Sequence, residues 1–267
     1  MTATLTLWHK HMTMFFRNPE AAFGMLLQPI LWVLLFGVGM QAMFSLGEGD
    51  GLAIPANVGG DYVGFMLPGI IVFAALSGAI SGGATLLDER LRGIVKEYLV
   101  APIPRYSVLL GNALSTVTQG LFQAVVIVLV GVVLGSALNA NPLGWLAGLL
   151  VIGLYGLGVA GLALTVAAKV NSTMGYHGLI ALNLPLLFAS NALYPLDAGP
   201  AWLAWIARLN PTTYAIDAVR GLMYGIQYDG QMSLWLSLAA VGAFAFLGMA
   251  LATWAFQGTV ERQGGAV

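Results

Sequence analysis

The chain has 267 residues, 59% of them hydrophobic and only 8% charged, with a net charge of −1 and no cysteine. A soluble domain carries about 25% charged residues, so this composition excludes an ordinary soluble enzyme and points to a single polytopic membrane domain. No basic tract suggests nucleic acid as a partner, and without cysteine there can be neither disulfides nor thiolate chemistry.

Residues 4–17 predict a helix lying on the membrane: Leu5, Trp8, Met12, Phe15 and Phe16 recur at helical spacing opposite His9, Lys10 and Arg17. No apolar core with a small-residue cleavage site precedes it, so a cleaved signal peptide is not expected. Asn18-Pro19-Glu20 then restarts the chain as a helix, with a capping residue, a proline at the first position and an acid at the positive dipole end.

Five stretches carry no Asp, Glu, Lys or Arg: Ala21–Gly47, Tyr62–Leu87, Tyr106–Ala168, Val170–Leu196 and Gly230–Val260. A spanning helix needs roughly 20 apolar residues. The third stretch is long enough for two spans, with a turn signal at Asn139-Ala140-Asn141-Pro142. The expected layout is all-α with six spans, at about 21–44, 62–86, 107–137, 143–167, 174–194 and 233–256. A Gly-rich acidic loop joins the first two spans. Residues 88–99 predict a helix with Leu91, Ile94, Val95, Tyr98 and Leu99 on one face and charges on the other, ended by Pro102 and Pro104. Residues 197–229 mix aromatic residues with Arg208, Asp217 and Arg220 and contain Asn210-Pro211, which predicts two short helices dipping into the outer leaflet and returning.

With the N-terminus inside, Lys10, Arg17, Arg90, Arg92, Lys96, Arg105, Lys169 and Arg262 fall on the inner side, and only Arg208 and Arg220 on the outer. This positive-inside bias places both termini in the cytoplasm of a multi-pass cell-membrane protein.

No span centre holds an ionisable residue; His177 sits near the inner surface. Ion-coupled transporters keep such groups at mid-membrane, so a proton or sodium site of its own is not expected. The metalloprotease helix, the nucleophile elbow and the Walker A loop are all absent. The chain is therefore expected to hold neither an enzyme site nor a cofactor. Asn112, Thr116, Gln119 and Gln123 share one face of the third span, and Asn183 and Asn191 part of the fifth. They either glue helices together or line a substrate path. Gly78/Gly82, Gly131/Gly135 and Gly144/Gly148 allow close helix approach. The mixed charge of 88–99 beside an apolar face suits docking of a protein partner rather than lipid headgroups alone.

Glu89-Arg90-Leu91-Arg92-Gly93-Ile94-Val95-Lys96-Glu97-Tyr98-Leu99-Val100-Ala101-Pro102-Ile103 resembles the cytoplasmic segment after the second span of ABC type-2 permeases, the membrane subunits of ATP-driven exporters. Leu209-Asn210-Pro211-Thr212-Thr213-Tyr214-Ala215-Ile216-Asp217-Ala218-Val219-Arg220, with Tyr194-Pro195-Leu196 ahead of it, resembles that family's pattern before the last span. The resemblance implies two paired permease chains, most simply a homodimer, above two separate ATPase subunits that carry ATP and Mg. Glu89, Arg90, Arg92, Gly93, Lys96, Glu97 and Tyr98 would then form a coupling helix seated in the ATPase. Asn210, Pro211, Tyr214, Asp217 and Arg220 would belong to a re-entrant outer gate, with Asp217 and Arg220 able to pair at i,i+3. The general look is nearest to drug and natural-product efflux members. Export of polysaccharide or lipid-linked glycan, or a membrane scaffold without transport, are the alternatives.

Overall fold

Local caps decide where the helices begin. In a computed structural model, which describes residues 2–46, 61–100, 104, 106–136, 139, 141–196, 199–226 and 230–264, every regular element is helical. α1 is Thr2–Arg17 and α2 Pro19–Leu31; a π-helical stretch, Trp32–Gly37, joins α2 to α3, Val38–Leu46. Next come α4, Tyr62–Leu91, α5, Ile94–Val100, α6, Tyr106–Val133, and α7, Pro142–Lys169. α8, Thr173–Ala181, α9, Asn183–Phe188, α10, Ala201–Leu209, and α11, Pro211–Val219, are short; a π-helical turn, Arg220–Tyr224, precedes α12, Leu234–Gly264. The expected acidic loop falls almost wholly outside the described residues, as do 101–103 and residues 227–229.

The Asp61 carboxylate caps α4 by accepting from the Gly64 N–H at 2.9 Å. Asn141 caps α7 from the Leu143 N–H at 3.1 Å, with Pro142 at the first position. Gly135, at φ +91°, ends the α6 region with the Ser136 N–H returning to the Gly131 carbonyl at 3.0 Å. This stops α6 at Val133 rather than 137 and makes Gly135 a turn residue, not the packing residue expected.

Five helical segments are long and apolar enough to cross a bilayer: Ala22–Met43, Tyr62–Leu91, Tyr106–Val133, Pro142–Lys169 and Leu234–Phe256. The expected fifth span at 174–194 is not one helix. Pro185 lacks an N–H to offer the Ala181 carbonyl and its ring crowds that turn, so α8 closes at Leu182 and α9 ends at Phe188. The segment nevertheless runs antiparallel to α4 along nearly its whole length. The Tyr176 hydroxyl donates to the Ile80 carbonyl at 2.7 Å, and Asn183 Nδ2 to Ser77 Oγ at 2.7 Å. Ala192 abuts Gly69, and the Tyr62 hydroxyl donates to the Leu193 carbonyl at 2.9 Å.

α4 is the core helix; every residue from Tyr62 to Leu76 is buried. α6 and α7 pack on it, and α12 packs on α7. Gly158 and Gly161 of α7 meet Gly248 of α12 so closely that a Cβ at Gly161 would collide with the Gly248 backbone. Gly144 and Gly148 likewise admit Leu222 and Met223, and Gly82 and Gly131 admit Thr116 and Leu67. In the first span Pro29, Val33 and Gly37 are buried, one every four residues. An α-helix would drift about 40° at each such step, and the wider π turn absorbs that drift.

α1 does not rest freely on a surface. Leu7, Met12 and Phe15 are buried, Gly111 of α6 makes room for Leu7, and Trp8 Nε1 donates to Thr118 Oγ1 of α6 at 3.0 Å. Of the apolar face read from the sequence, Leu5 and Phe16 stay exposed while the remainder turns to α6.

Candidate functional site

The C-terminal end of α4 sends three consecutive side chains to three partners. Asp88 reaches Arg92 at 2.9 Å, an exposed i,i+4 pair worth about 0.3–0.5 kcal/mol. Glu89 is buried and faces α1: Lys10 Nζ lies 2.7 Å and His11 Nε2 3.5 Å from its Oε1. Tyr98 of α5 donates to the same oxygen at 3.4 Å and accepts from Lys10. Burial opposes the Lys10 charge, but the Glu89 and Tyr98 contacts outweigh it and hold its pKa above the ordinary lysine value. Arg90 donates to the carbonyls of Ala168 and Val170 and, at 3.2 Å, to Asn171 Oδ1. A cation there satisfies the open carbonyls of α7 and complements its dipole.

The continuous helix expected at 88–99 is therefore broken. Its first residues belong to α4, and Arg92 and Gly93 turn the chain before α5. Gly93 stands at φ +82° with nothing within 4 Å of a Cβ built on it, so left-handed backbone, not crowding, explains the glycine. Of the seven residues taken from the resemblance, Glu89, Arg90, Arg92 and Tyr98 bind within this chain and Gly93 makes the turn. Arg92 and Glu97 stay exposed beside Leu91. The Lys96 side chain lies outside the described residues.

At the other end of α4, Asp217 and Arg220 pair at 3.2 Å with both side chains fully buried. Arg220 also donates to the Phe65 carbonyl at 3.2 and 3.3 Å and to the Asn191 carbonyl at 2.9 Å, with its guanidinium 4.1 Å from the Phe65 ring centroid. Asn191 Nδ2 donates to Asp217 Oδ1 at 2.5 Å, and the Met232 N–H to Oδ2 at 3.0 Å. The pair expected to hold one turn thus ties α4, the 189–193 turn, α11 and the approach to α12. Asn210 caps α11 from the Thr212 N–H at 3.0 Å, while its Nδ2 donates to the Leu186 and Ala189 carbonyls at 2.8 and 3.0 Å. Pro211 follows at the first helical position. The Tyr214 hydroxyl donates to the Arg208 carbonyl at 2.7 Å, linking α11 to the end of α10.

The polar residues within the spans mostly bind neighbours. Asn112 Nδ2 donates to the Gly82 carbonyl at 3.3 Å and Thr116 to the Asn112 carbonyl at 2.9 Å. Asn183 is on Ser77 and Asn191 on Asp217. Gln119 is partly exposed. Gln123 is buried and lines a cavity of about 60 Å³ with Met25, Gln28, Phe73, Ser77 and Ser81. Beside it, Gln28, Leu31, Trp32, Leu35 and Phe36 border an open groove of about 410 Å³ on the first span.

Sequence reasoning missed Lys10 and His11 as partners of Glu89. The signal for Lys10 is the polar face of α1 that it shares with His9 and Arg17; His11 is not among the residues of that face. It also missed Tyr155, whose hydroxyl lies 2.9 Å from Thr212 Oγ1 and joins α7 to α11.

Comparison with known proteins bears on this arrangement as a whole. The family model of ABC-2 type transporters matches residues 2–224. The chain is 34% identical over 209 residues to ycf38 of Cyanophora paradoxa, whose name describes a transport permease, covering 77% of this chain and 69% of that one. It is 28% identical over 255 residues to the daunorubicin resistance ABC transporter permease protein DrrB1 of Streptomyces coeruleorubidus, covering 94% and 86%. To DrrC of Mycobacterium tuberculosis, named a probable doxorubicin resistance ABC transporter permease protein, it is 26% identical over 222 residues, covering 83% and 77%. With the family model extending from α1 through the π turn that begins at Arg220, and so over both ends of α4, the chain belongs to the ABC-2 type transporter family.

Proposed function

We propose that this permease is the membrane half of an ATP-driven exporter that moves a hydrophobic or amphipathic, drug-like or lipid-like substrate outward. The observation that carries this reading is the exposed turn of Leu91, Arg92 and Glu97 at the inner end of the most buried helix. A separate ATPase subunit seated on that turn, holding ATP and Mg, would transmit its closure directly into the core through α4. Two permease chains over two ATPase subunits complete the assembly. The 173–193 segment, matched against α4 from Ile80 to Tyr62, serves as the sixth crossing and leaves both termini in the cytoplasm, in the cell membrane. α10, with Trp202, Trp205 and Leu209 exposed, and α11 form the outer re-entrant gate.

The substrate class draws on two supports. Relatives carry daunorubicin and doxorubicin resistance in their names. The groove on the first span is bordered by Leu31, Trp32, Leu35 and Phe36 with Gln28 as its polar member, a lining suited to apolar surface rather than to a glycan. A cavity of about 60 Å³ is far below the 300–1,000 Å³ of typical ligand pockets. In this reading the path runs between two copies of the chain.

The test is purification in mild detergent with identification of partners and an ATPase assay. A stoichiometric Walker-A ATPase, lost on Arg92→Ala or Glu97→Ala, is the expected result. A chain that purifies alone, without ATP turnover, under conditions that keep other membrane complexes intact would instead favour a scaffold.

A further inference from the structure

The Glu89 cluster joins three elements at one carboxylate. α5 leaves α4 through Gly93, at φ +82° and with open space around its Cα, so that turn does not fix the direction of α5 by packing. Two contacts bring α5 back. Val95, 6% exposed, enters the core, and Tyr98 reaches the α4 end. The Tyr98 hydroxyl donates to Glu89 Oε1 at 3.4 Å and accepts from Lys10 Nζ, and that ammonium also stands 5.1 Å from the Tyr98 ring centroid. Lys10 belongs to α1, a distant part of the sequence. Its Nζ is 2.7 Å from Glu89 Oε1, and His11 of the same helix is 3.5 Å from it. The Glu89 side chain is only 8% exposed, and its Oε2 has no hydrogen-bond partner among the described residues. A carboxylate so placed needs cations close by, and α1 supplies them. α1 is in turn fixed to α6 by Trp8 on Thr118 and by Leu7 in the space left by Gly111.

We infer that Lys10 is a positioning residue for the 92–97 turn: one ammonium bridges the α4 carboxylate and the α5 hydroxyl, so the N-terminal helix sets the direction of α5 across the Gly93 hinge. A tilt of α6 against α4 then moves α5 through α1. The inference deepens the proposed docking of an ATPase on this turn and rests on that reading for its consequence, though not for its geometry.

The chain contains no cysteine, so two introduced cysteines are unique labelling sites. Glu97→Cys on α5 and Leu143→Cys at the start of α7, both exposed positions, give a spin-label distance distribution for the full chain in lipid nanodiscs. Lys10→Met broadens that distribution about twofold or more, as expected for a freed hinge, and Lys10→Arg keeps it narrow. An unchanged distribution in Lys10→Met overturns the inference. If Lys10→Met does not yield monodisperse protein, Tyr98→Phe decides. It leaves Lys10 on Glu89 and removes only the hydroxyl link to α5, and an unchanged width there overturns the inference equally. Retention of the ATPase subunit, measured in the unlabelled chain with Arg92 and Glu97 intact, separates the two ideas. Broadening in the labelled chain, when the unlabelled chain retains no ATPase, upholds Lys10 and removes the docking reading. A chain that binds ATPase through Arg92 and Glu97, with no broadening in either variant, upholds docking and removes Lys10.

Discussion

Arg220 is a cationic side chain with no exposed surface, and its surroundings supply a partner for each part of it. Asp217 neutralises it, the carbonyls of Phe65 and Asn191 take its remaining donors, and the Phe65 ring covers its face. Removing one member of such a pair strands the other, at a cost of about 3–5 kcal/mol. Asp217→Ala is therefore expected to lower thermal stability in detergent sharply, and the double variant Asp217→Ala/Arg220→Met to recover part of the loss. A single variant with unchanged melting would show that the knot does not hold α11 to α4 and the 189–193 turn. Asn210 works through both ends of its amide. Asn210→Ser keeps a cap but drops the donors to Leu186 and Ala189; Asn210→Ala loses all three bonds. A cap is worth about 1 kcal/mol and each stranded carbonyl about 1–3 kcal/mol, so stability should fall in the order Asn, Ser, Ala.

Among the elements, the turn between α4 and α5 and the contact between α7 and α12 depend on glycine for different reasons. At Gly93 the backbone is left-handed, and Gly93→Ala adds about 1–2 kcal/mol of local strain without meeting any neighbour. Weakened retention of an ATPase subunit with unchanged melting is the expected pattern. At Gly161 the obstacle is the Gly248 backbone, and Gly161→Leu is expected to prevent α12 from packing, visible as loss of the monodisperse peak on gel filtration. Helix starts were legible in the sequence because caps are local: Asn141-Pro142 and Asn210-Pro211 announce α7 and α11 within a few residues. The break at Leu182 was not, because the charge-free run around it reads as one span and the effect of Pro185 depends on where α8 begins. Nor was Gly248, which finds its partner on a helix far back in the sequence. At the turn after α4, charge placement alone could not separate Arg90, turned to the α7 terminus, from Arg92, exposed beside Asp88.

At the scale of the molecule, one chain provides a buried α4 flanked by helices whose other sides are largely apolar and uncovered. Gln119 and Gln123 sit one turn apart on α6 but differ in circumstance, partly exposed against buried. Reconstituted with its partners, Gln119→Leu is expected to shift preference among amphipathic dyes while leaving assembly intact. Gln123→Leu, beside the small cavity and Gly78, is expected to alter stability first. The reverse assignment would move the path to the other side of α6. The buried stripe of the first span carries a final consequence. Pro29, Val33 and Gly37 repeat every four residues along one line facing the core, so the span has a ruler-like spacing on that side, with one mark at each turn. Continuous sliding along α4 would pull each of these residues off its seat. A shift of one whole mark would bring Val33 to the seat of Pro29 and Gly37 to that of Val33. The first span therefore has a natural step length, and any movement it makes during a cycle is expected to come in steps of that size.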